Sequence, residues 1–87
     1  MSKIDKLILK ILKGTSDSNI KFDELINLLE YLGFEKRIRG SHHIFRKEEI
    51  QKRINLQKDS NMAKPYQVKQ VRKVIVEYQL WELDDEI

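Results

Sequence analysis

The chain contains no cysteine, a single proline and only two histidines among its 87 residues. Without cysteine, neither a disulfide framework nor a thiolate zinc site is available. The first residues, MSKIDKLILKILKG, place a lysine in every turn of a helix, so they form neither a signal peptide nor a membrane span. We therefore expect a cytoplasmic protein with one small domain and no contact with a membrane.

Charge is plentiful but unevenly distributed. The whole chain carries +3, whereas residues 35–75 hold twelve lysines and arginines against four carboxylates, a net charge of +8. Four of the last six residues are acidic. A basic region of this kind favours a polyanion such as nucleic acid, although a charged run is also typical of an ordinary solvated surface.

Apolar residues at helical spacing predict three amphipathic helices. The first ends at Gly14, and the second runs from Phe22 to Gly33. The last begins at Pro65, where the missing N–H of proline costs nothing. Trp81 is expected to cover one end of the core, together with Leu83.

Three strands are predicted between the second and third helices. In FEKRIR (34–39), Phe34, Lys36 and Ile38 alternate with Glu35, Arg37 and Arg39, a strand pattern. HHIFR (42–46) returns after a tight Gly-Ser turn. Residues 48–52 are expected to form a polar connection. Ile54 and Leu56 then anchor a short third strand.

These elements predict an α+β fold with the order α-β-β-β-α and an extra helix at the N-terminus. Three antiparallel strands would carry helices on one face, a topology shared with double-stranded-RNA-binding domains. We expect residues 1–14 to be a helix extension, residues 15–80 the functional domain, and residues 81–87 an acidic tail.

Both histidines lie in the segment RIRGSHHIF. Histidine changes charge near pH ~6.5 and is the usual proton carrier of proteins, but two neighbouring histidines also occur by chance in strands. Alternation along a strand places His42 on one face with Ile44 and Arg46. His43 shares the other face with Phe45, and if Phe45 packs on the helices, His43 is a structural residue at the core edge.

No metal or nucleotide cofactor is expected. Adjacent histidines on a strand cannot both reach one ion, and no third ligand stands at a fitting spacing. The chain contains neither a GxGxxG nor a Walker motif. Ser41 and His42 do not form a hydrolase pair, because their side chains diverge and no orienting acid is evident.

Three segments together resemble the HicA (YcfA-like) family of toxins, which are small ribonucleases of bacterial toxin–antitoxin pairs. They are FDELINLLEYLGF, IRGSHHIF and AKPYQVKQVRKVI, so the resemblance covers roughly residues 20–80. The catalytic histidine of the family directly follows Gly-Ser, and this position is His42. Many short members have a second histidine near the end of the third strand, whereas this chain has Leu56, Gln57 and Lys58 there.

The resemblance implies metal-free cleavage of single-stranded RNA, in particular messenger RNA, and a HicB-type antitoxin as partner. His42 would be a general base or acid, in a turn shaped by Gly40 and Ser41. The candidate phosphate contacts are Lys36, Arg37, Arg39 and Lys64.

Two alternatives stay open. A non-catalytic module of the same fold would bind RNA without cutting it, and the missing second histidine is compatible with that function. A purely structural domain would instead use its first helix to bind another protein.

Overall fold

A computed structural model describes residues 3–81 of the chain. The elements are α1 (Lys3–Lys13), a 3₁₀ turn (Asp17–Asn19), α2 (Phe22–Tyr31), β1 (Glu35–Arg39), β2 (His42–Lys47), β3 (Ile50–Gln57) and α3 (Pro65–Glu77). This order confirms the predicted α+β fold, in which an α-β-β-β-α unit like that of double-stranded-RNA-binding domains follows an extra helix.

The sheet has the strand order β1-β2-β3, and both pairs of strands are antiparallel. Phe45 of β2 lies opposite Ile54 of β3, and both are fully buried together with Leu56. These residues alternate with exposed ones along their strands, because successive side chains of a strand point to opposite faces. The helices therefore cover one face of the sheet and leave the other face open.

Helix α1 belongs to the same hydrophobic core as the rest of the domain. Its residues Leu7, Ile8 and Ile11 are buried in one cluster with residues of α2, α3 and the sheet. Arg72 of α3 also holds the end of α1, since Nη1 donates hydrogen bonds to the Ile11 carbonyl oxygen at 3.1 Å and to Asp17 Oδ1 at 2.8 Å. The N-terminal helix is thus packed and tied to α3.

The third strand is longer than the sequence pattern predicts. Residues 48–52 were expected to be a polar connection, but β3 already begins at Ile50 and pairs there with Lys47. Lys52 faces the helices, and its Nζ lies 2.9 Å from Glu77 Oε2. This hydrogen bond, and the charge of Glu77 behind it, raise the pKa of Lys52. Alternation along β3 alone predicts an apolar residue at position 52. The ion pair with Glu77 of α3 accommodates a lysine there instead.

Trp81 is half-buried and packs against the core, as predicted. Its Nε1 donates to Asp5 Oδ1 of α1 at 3.5 Å. The expected contact of Leu83 and the predicted acidic tail after Trp81 lie outside the described residues. Within residues 3–81, no helix has the length and apolar character needed to cross a membrane.

Candidate functional site

The connection between β1 and β2 consists of two residues, Gly40 and Ser41, because Arg39 pairs directly with His42. Gly40 has φ +59°, and a left-handed first residue is typical of the II′ turns that match the twist of a hairpin. A Cβ placed on Gly40 would meet no atom within 4 Å, so the space above the turn is open. The Ser41 carbonyl oxygen accepts a hydrogen bond from the Lys58 N–H at 3.0 Å, which ties the turn to the end of β3.

His42 lies on the open face directly after this turn, and its side chain is exposed. Its direct cross-strand neighbours are Arg39 on β1 and Gln57 on β3. Its Nδ1 is 3.3 Å from Oδ1 of Asn55, which is diagonal to it on β3. With the amide oxygen as acceptor, Nδ1 carries the proton of the neutral ring and Nε2 presents a lone pair.

Four arginines share the open face with His42. Arg37 and Arg39 come from β1, Arg46 from β2 and Arg53 from β3, and together they line a groove of about 300 Å³ around the half-buried Ile44. Within residues 3–81, none of the four has a carboxylate within the 4.0 Å that defines an ion pair.

The groove continues past Arg46 and Arg53 into a second one of about 500 Å³ at the far end of the sheet. Glu35 lines both grooves, and Glu48 lines the second. Unpaired like charges on neighbouring strands repel one another, and a bound polyanion would relieve that repulsion. The open face is therefore suited to a phosphate backbone.

The two predicted lysine contacts are both paired with carboxylates. Lys36 contributes to the lining of the 300 Å³ groove, but its ammonium group is directed to the helix side of β1, where Nζ is 2.6 Å from Glu30 Oε1 of α2. Lys64 caps the start of α3, with its Nζ 3.3 Å from Asp59 Oδ2. The buried Gln67 accepts from the Lys64 N–H and donates to the Gln57 carbonyl oxygen at the end of β3. Lys64 is thus held near the His42 end of the sheet, whereas Lys36 is turned away from it.

The second histidine has a different environment. His43 is half-buried on the helix side of the sheet, where its ring meets the ring of Phe22 edge-on at a centroid distance of 5.2 Å. Its Nδ1 is buried without a hydrogen-bond partner among the described residues. The prediction from strand alternation, which placed His43 with Phe45 at the core edge, is confirmed.

The phosphate contacts predicted from the sequence do not include Arg46 or Arg53, and the sequence pattern does not single out Asn55. Arg46 was already placed on the His42 face by alternation. Arg53 was missed because the third strand was predicted too short, and Asn55 was detectable as the polar residue between the apolar Ile54 and Leu56. No group of three His, Cys, Asp or Glu side chains within the described part of the chain is arranged to hold a metal ion.

Comparison with known proteins adds one finding. A model of the family described as HicA toxin of bacterial toxin–antitoxin matches residues 22–75, from the start of α2 into α3. Searches of curated proteins and of solved structures give no match. The matched region covers more than half of the chain and includes the whole sheet with its open face. The chain therefore belongs to the HicA family, the toxins of bacterial toxin–antitoxin pairs, and an antitoxin is the partner that this membership implies.

Proposed function

We propose that this toxin is a metal-independent endoribonuclease that cleaves single-stranded messenger RNA, with His42 as its catalytic residue. The observation that carries the proposal is an exposed imidazole directly beside Arg39 on the open face of the sheet. The same face carries Arg37, Arg46 and Arg53, and none of the four arginines has an ion-pair partner within residues 3–81. We assign the reaction to residues 15–80 and treat residues 1–14 as a helix that extends this domain.

The reaction needs few groups, because the nucleophile belongs to the substrate. The ribose 2′-hydroxyl gives its proton to a base and forms the O2′–P bond, the P–O5′ bond breaks, and the 5′-oxygen takes up a proton. The products are a 2′,3′-cyclic phosphate and a 5′-hydroxyl. His42 is placed to accept or donate one of these protons, a contribution that is typically worth 10²–10⁴ in rate.

The arginines would bind the substrate and stabilise its developing negative charge. Arg39 is the direct cross-strand neighbour of His42, and such pairs have Cβ atoms about 5 Å apart. Its guanidinium can bind two non-bridging oxygens of the phosphate beside the imidazole. Arg37, Arg46 and Arg53 lie further along the groove, where flanking phosphates would pass.

The remaining predicted residues contribute in different degrees. The empty space above Gly40 lets a sugar-phosphate backbone approach the turn, and the exposed Ser41 can donate from its hydroxyl. Lys64 begins α3 beside the end of β3, where its ammonium group pairs with Asp59. Lys36 is the weakest candidate, because it already pairs with Glu30 on the other side of the sheet.

We further propose that a HicB-type antitoxin covers this same face. A partner that binds these four guanidinium groups needs an acidic surface, and by binding there it would exclude RNA. This proposal is tested by measuring RNA cleavage at increasing concentrations of antitoxin. The antitoxin should inhibit cleavage in competition with RNA.

The two histidines provide a matched pair of variants for testing the reaction. Purified protein is mixed with end-labelled single-stranded RNA in the presence of a metal chelator. His42→Ala should lose at least about 10²-fold in rate. His43→Leu should retain cleavage, because His43 packs beside Phe22 on the helix side. The proposal is wrong if His42→Ala cleaves as fast as the native protein while its circular dichroism is unchanged.

A second candidate function is RNA binding without cleavage. It is favoured by the absence of a second histidine near the end of the third strand, where this chain has Leu56, Gln57 and Lys58. In that case the native protein would retard RNA on a gel in a salt-dependent way and leave its length unchanged over hours.

A further inference from the structure

We propose that Asn55 is the positioning residue of the site. Its side-chain oxygen holds the imidazole of His42 with Nδ1 protonated, so that Nε2 faces the substrate as a general base. This assignment rests on the proposed ribonuclease function and decides a question which that function leaves open, namely whether His42 first accepts or first donates a proton.

The geometry favours one tautomer of the ring. Asn55 Oδ1 and His42 Nδ1 are 3.3 Å apart, and no other side-chain hydrogen bond to His42 occurs within residues 3–81. This distance is slightly beyond the ~2.7–3.2 Å of most N–H···O hydrogen bonds, and such long bonds are common in catalytic sites without substrate, where they tighten on binding. With Oδ1 facing the ring, the amide accepts, and this arrangement selects the tautomer that donates from Nδ1 and keeps its lone pair on Nε2.

The position of Asn55 in the strand supports a functional role. Asparagine is depleted in strands, and here it lies between the fully buried residues Ile54 and Leu56 near the end of β3. A β-branched residue would suit this exposed strand position better. A residue that breaks a local preference without a structural gain is expected mainly at functional sites.

The assigned tautomer gives the reaction a definite order of proton transfers. The 2′-hydroxyl proton moves to His42 Nε2 as the O2′–P bond forms. The P–O5′ bond breaks, the 5′-oxygen takes a proton from water, and the imidazolium then releases its proton to solvent. The oxygen of Asn55 continues to accept from Nδ1–H throughout and stabilises the positive ring.

The first test is nitrogen-15 NMR of His42 without RNA, which distinguishes the two neutral tautomers by their ring-nitrogen shifts. The native protein should show the Nδ1–H form, and Asn55→Val should lose this preference. Gln57 lies on β3, like Asn55, and is directly opposite His42. Gln57→Val removes the side-chain amide of Gln57 and should leave the tautomer unchanged. A native Nε2–H form, or no response to Asn55→Val, would overturn the proposal.

The second test measures cleavage. Asn55→Val should lower kcat by about 5- to 10-fold, the loss expected for one hydrogen bond, and leave KM unchanged. Asn55→Asp should restore kcat and move the acid limb of the pH–rate profile to higher pH, because a carboxylate favours the protonated ring. A native kcat in Asn55→Val, or the same loss in Gln57→Val, contradicts a positioning role.

Fold and function can be separated in both tests. Valine suits a strand, so Asn55→Val should unfold at or above the native temperature, and a large drop in that temperature would mean that Asn55 is structural. Undiminished cleavage by His42→Ala would instead refute His42 as the catalytic residue, and intact RNA with the native protein would refute the ribonuclease function, while the tautomer of the native ring would still report the Asn55 contact.

Discussion

Truncation of Ile8 to alanine should show whether the N-terminal helix is an integral part of the fold. Ile8 and its neighbour Ile11 in α1 have no exposed surface, although the family match begins only at residue 22. Removing a fully buried isoleucine side chain to Cβ typically lowers the free energy of unfolding by about 2–5 kcal/mol. We expect Ile8→Ala to fall in this range.

The loss of the whole helix can be estimated in the same way. Burial of a large aliphatic side chain is worth about 1.5–3 kcal/mol, and α1 buries Leu7, Ile8 and Ile11. Their sum, about 5–9 kcal/mol, is comparable with the total stability of about 5–15 kcal/mol of an ordinary domain. A chain that lacks residues 1–14 should therefore show no cooperative unfolding transition.

Urea denaturation followed by circular dichroism measures both changes, and thermal melting gives an independent value. For a domain of this size, a loss of 2 kcal/mol corresponds to a decrease of at least about 8 °C in Tm. Lys6→Ala is the matched control, because Lys6 lies on the exposed side of the same helix and should change stability by no more than about 0.5 kcal/mol.

Two results would refute the importance of α1 for stability. One is an Ile8→Ala variant within about 0.5 kcal/mol of the native protein. The other is a shortened chain that unfolds as cooperatively as the full one. Either result would favour the alternative in which the first helix serves to bind another protein.

Three other predictions follow from single contacts. Gly40→Ala should lower the free energy of unfolding by about 1–2 kcal/mol, because a φ of +59° is unfavourable for a residue with a Cβ. The new methyl group meets no neighbour within 4 Å, so no packing contact offsets this loss. An unchanged midpoint in urea denaturation would contradict the prediction. Arg72→Met should cost about 1–3 kcal/mol through the lost half-buried pair with Asp17, and a Tm equal to the native value would show that the pair is unimportant. Arg53→Gln should reduce the slope of the logarithm of the binding constant for single-stranded RNA against the logarithm of salt concentration by about 0.7. Lys73→Gln, on the exposed side of α3, should leave this slope unchanged. Equal slopes for the two variants would show that Arg53 does not contact RNA.

Local patterns were sufficient to predict most of the fold. The helices follow from apolar residues at helical spacing, and the first hairpin follows from alternation on both sides of Gly40. The same alternation correctly separated His42 from His43, because Phe45 had to be buried. The assignment of His42 to catalysis itself came from a family resemblance, since the residues alone predict only a basic α/β domain with a histidine.

Contacts between distant parts of the chain account for what the sequence did not reveal. Lys52 lies in β3 and its ammonium group binds Glu77 of α3, and nothing near Lys52 in sequence indicates that partner. Lys36 is similarly engaged by Glu30. The contact of Asn55 with His42 depends on the register of β3 against β2, which a strand predicted too short could not provide.

The tightness of the Gly40–Ser41 turn restricts how this gene can change. The turn sets which residue of β1 faces each residue of β2, and consecutive side chains on β2 alternate between solvent and core. Inserting one codon after Ser41 with the strand pairing unchanged would move each histidine one position along β2, turning the ring of His42 toward Phe22 and that of His43 to the open face. A point substitution changes one side chain of the site at a time. A one-residue insertion at this hairpin would move every side chain of β2 to the opposite face of the sheet at once.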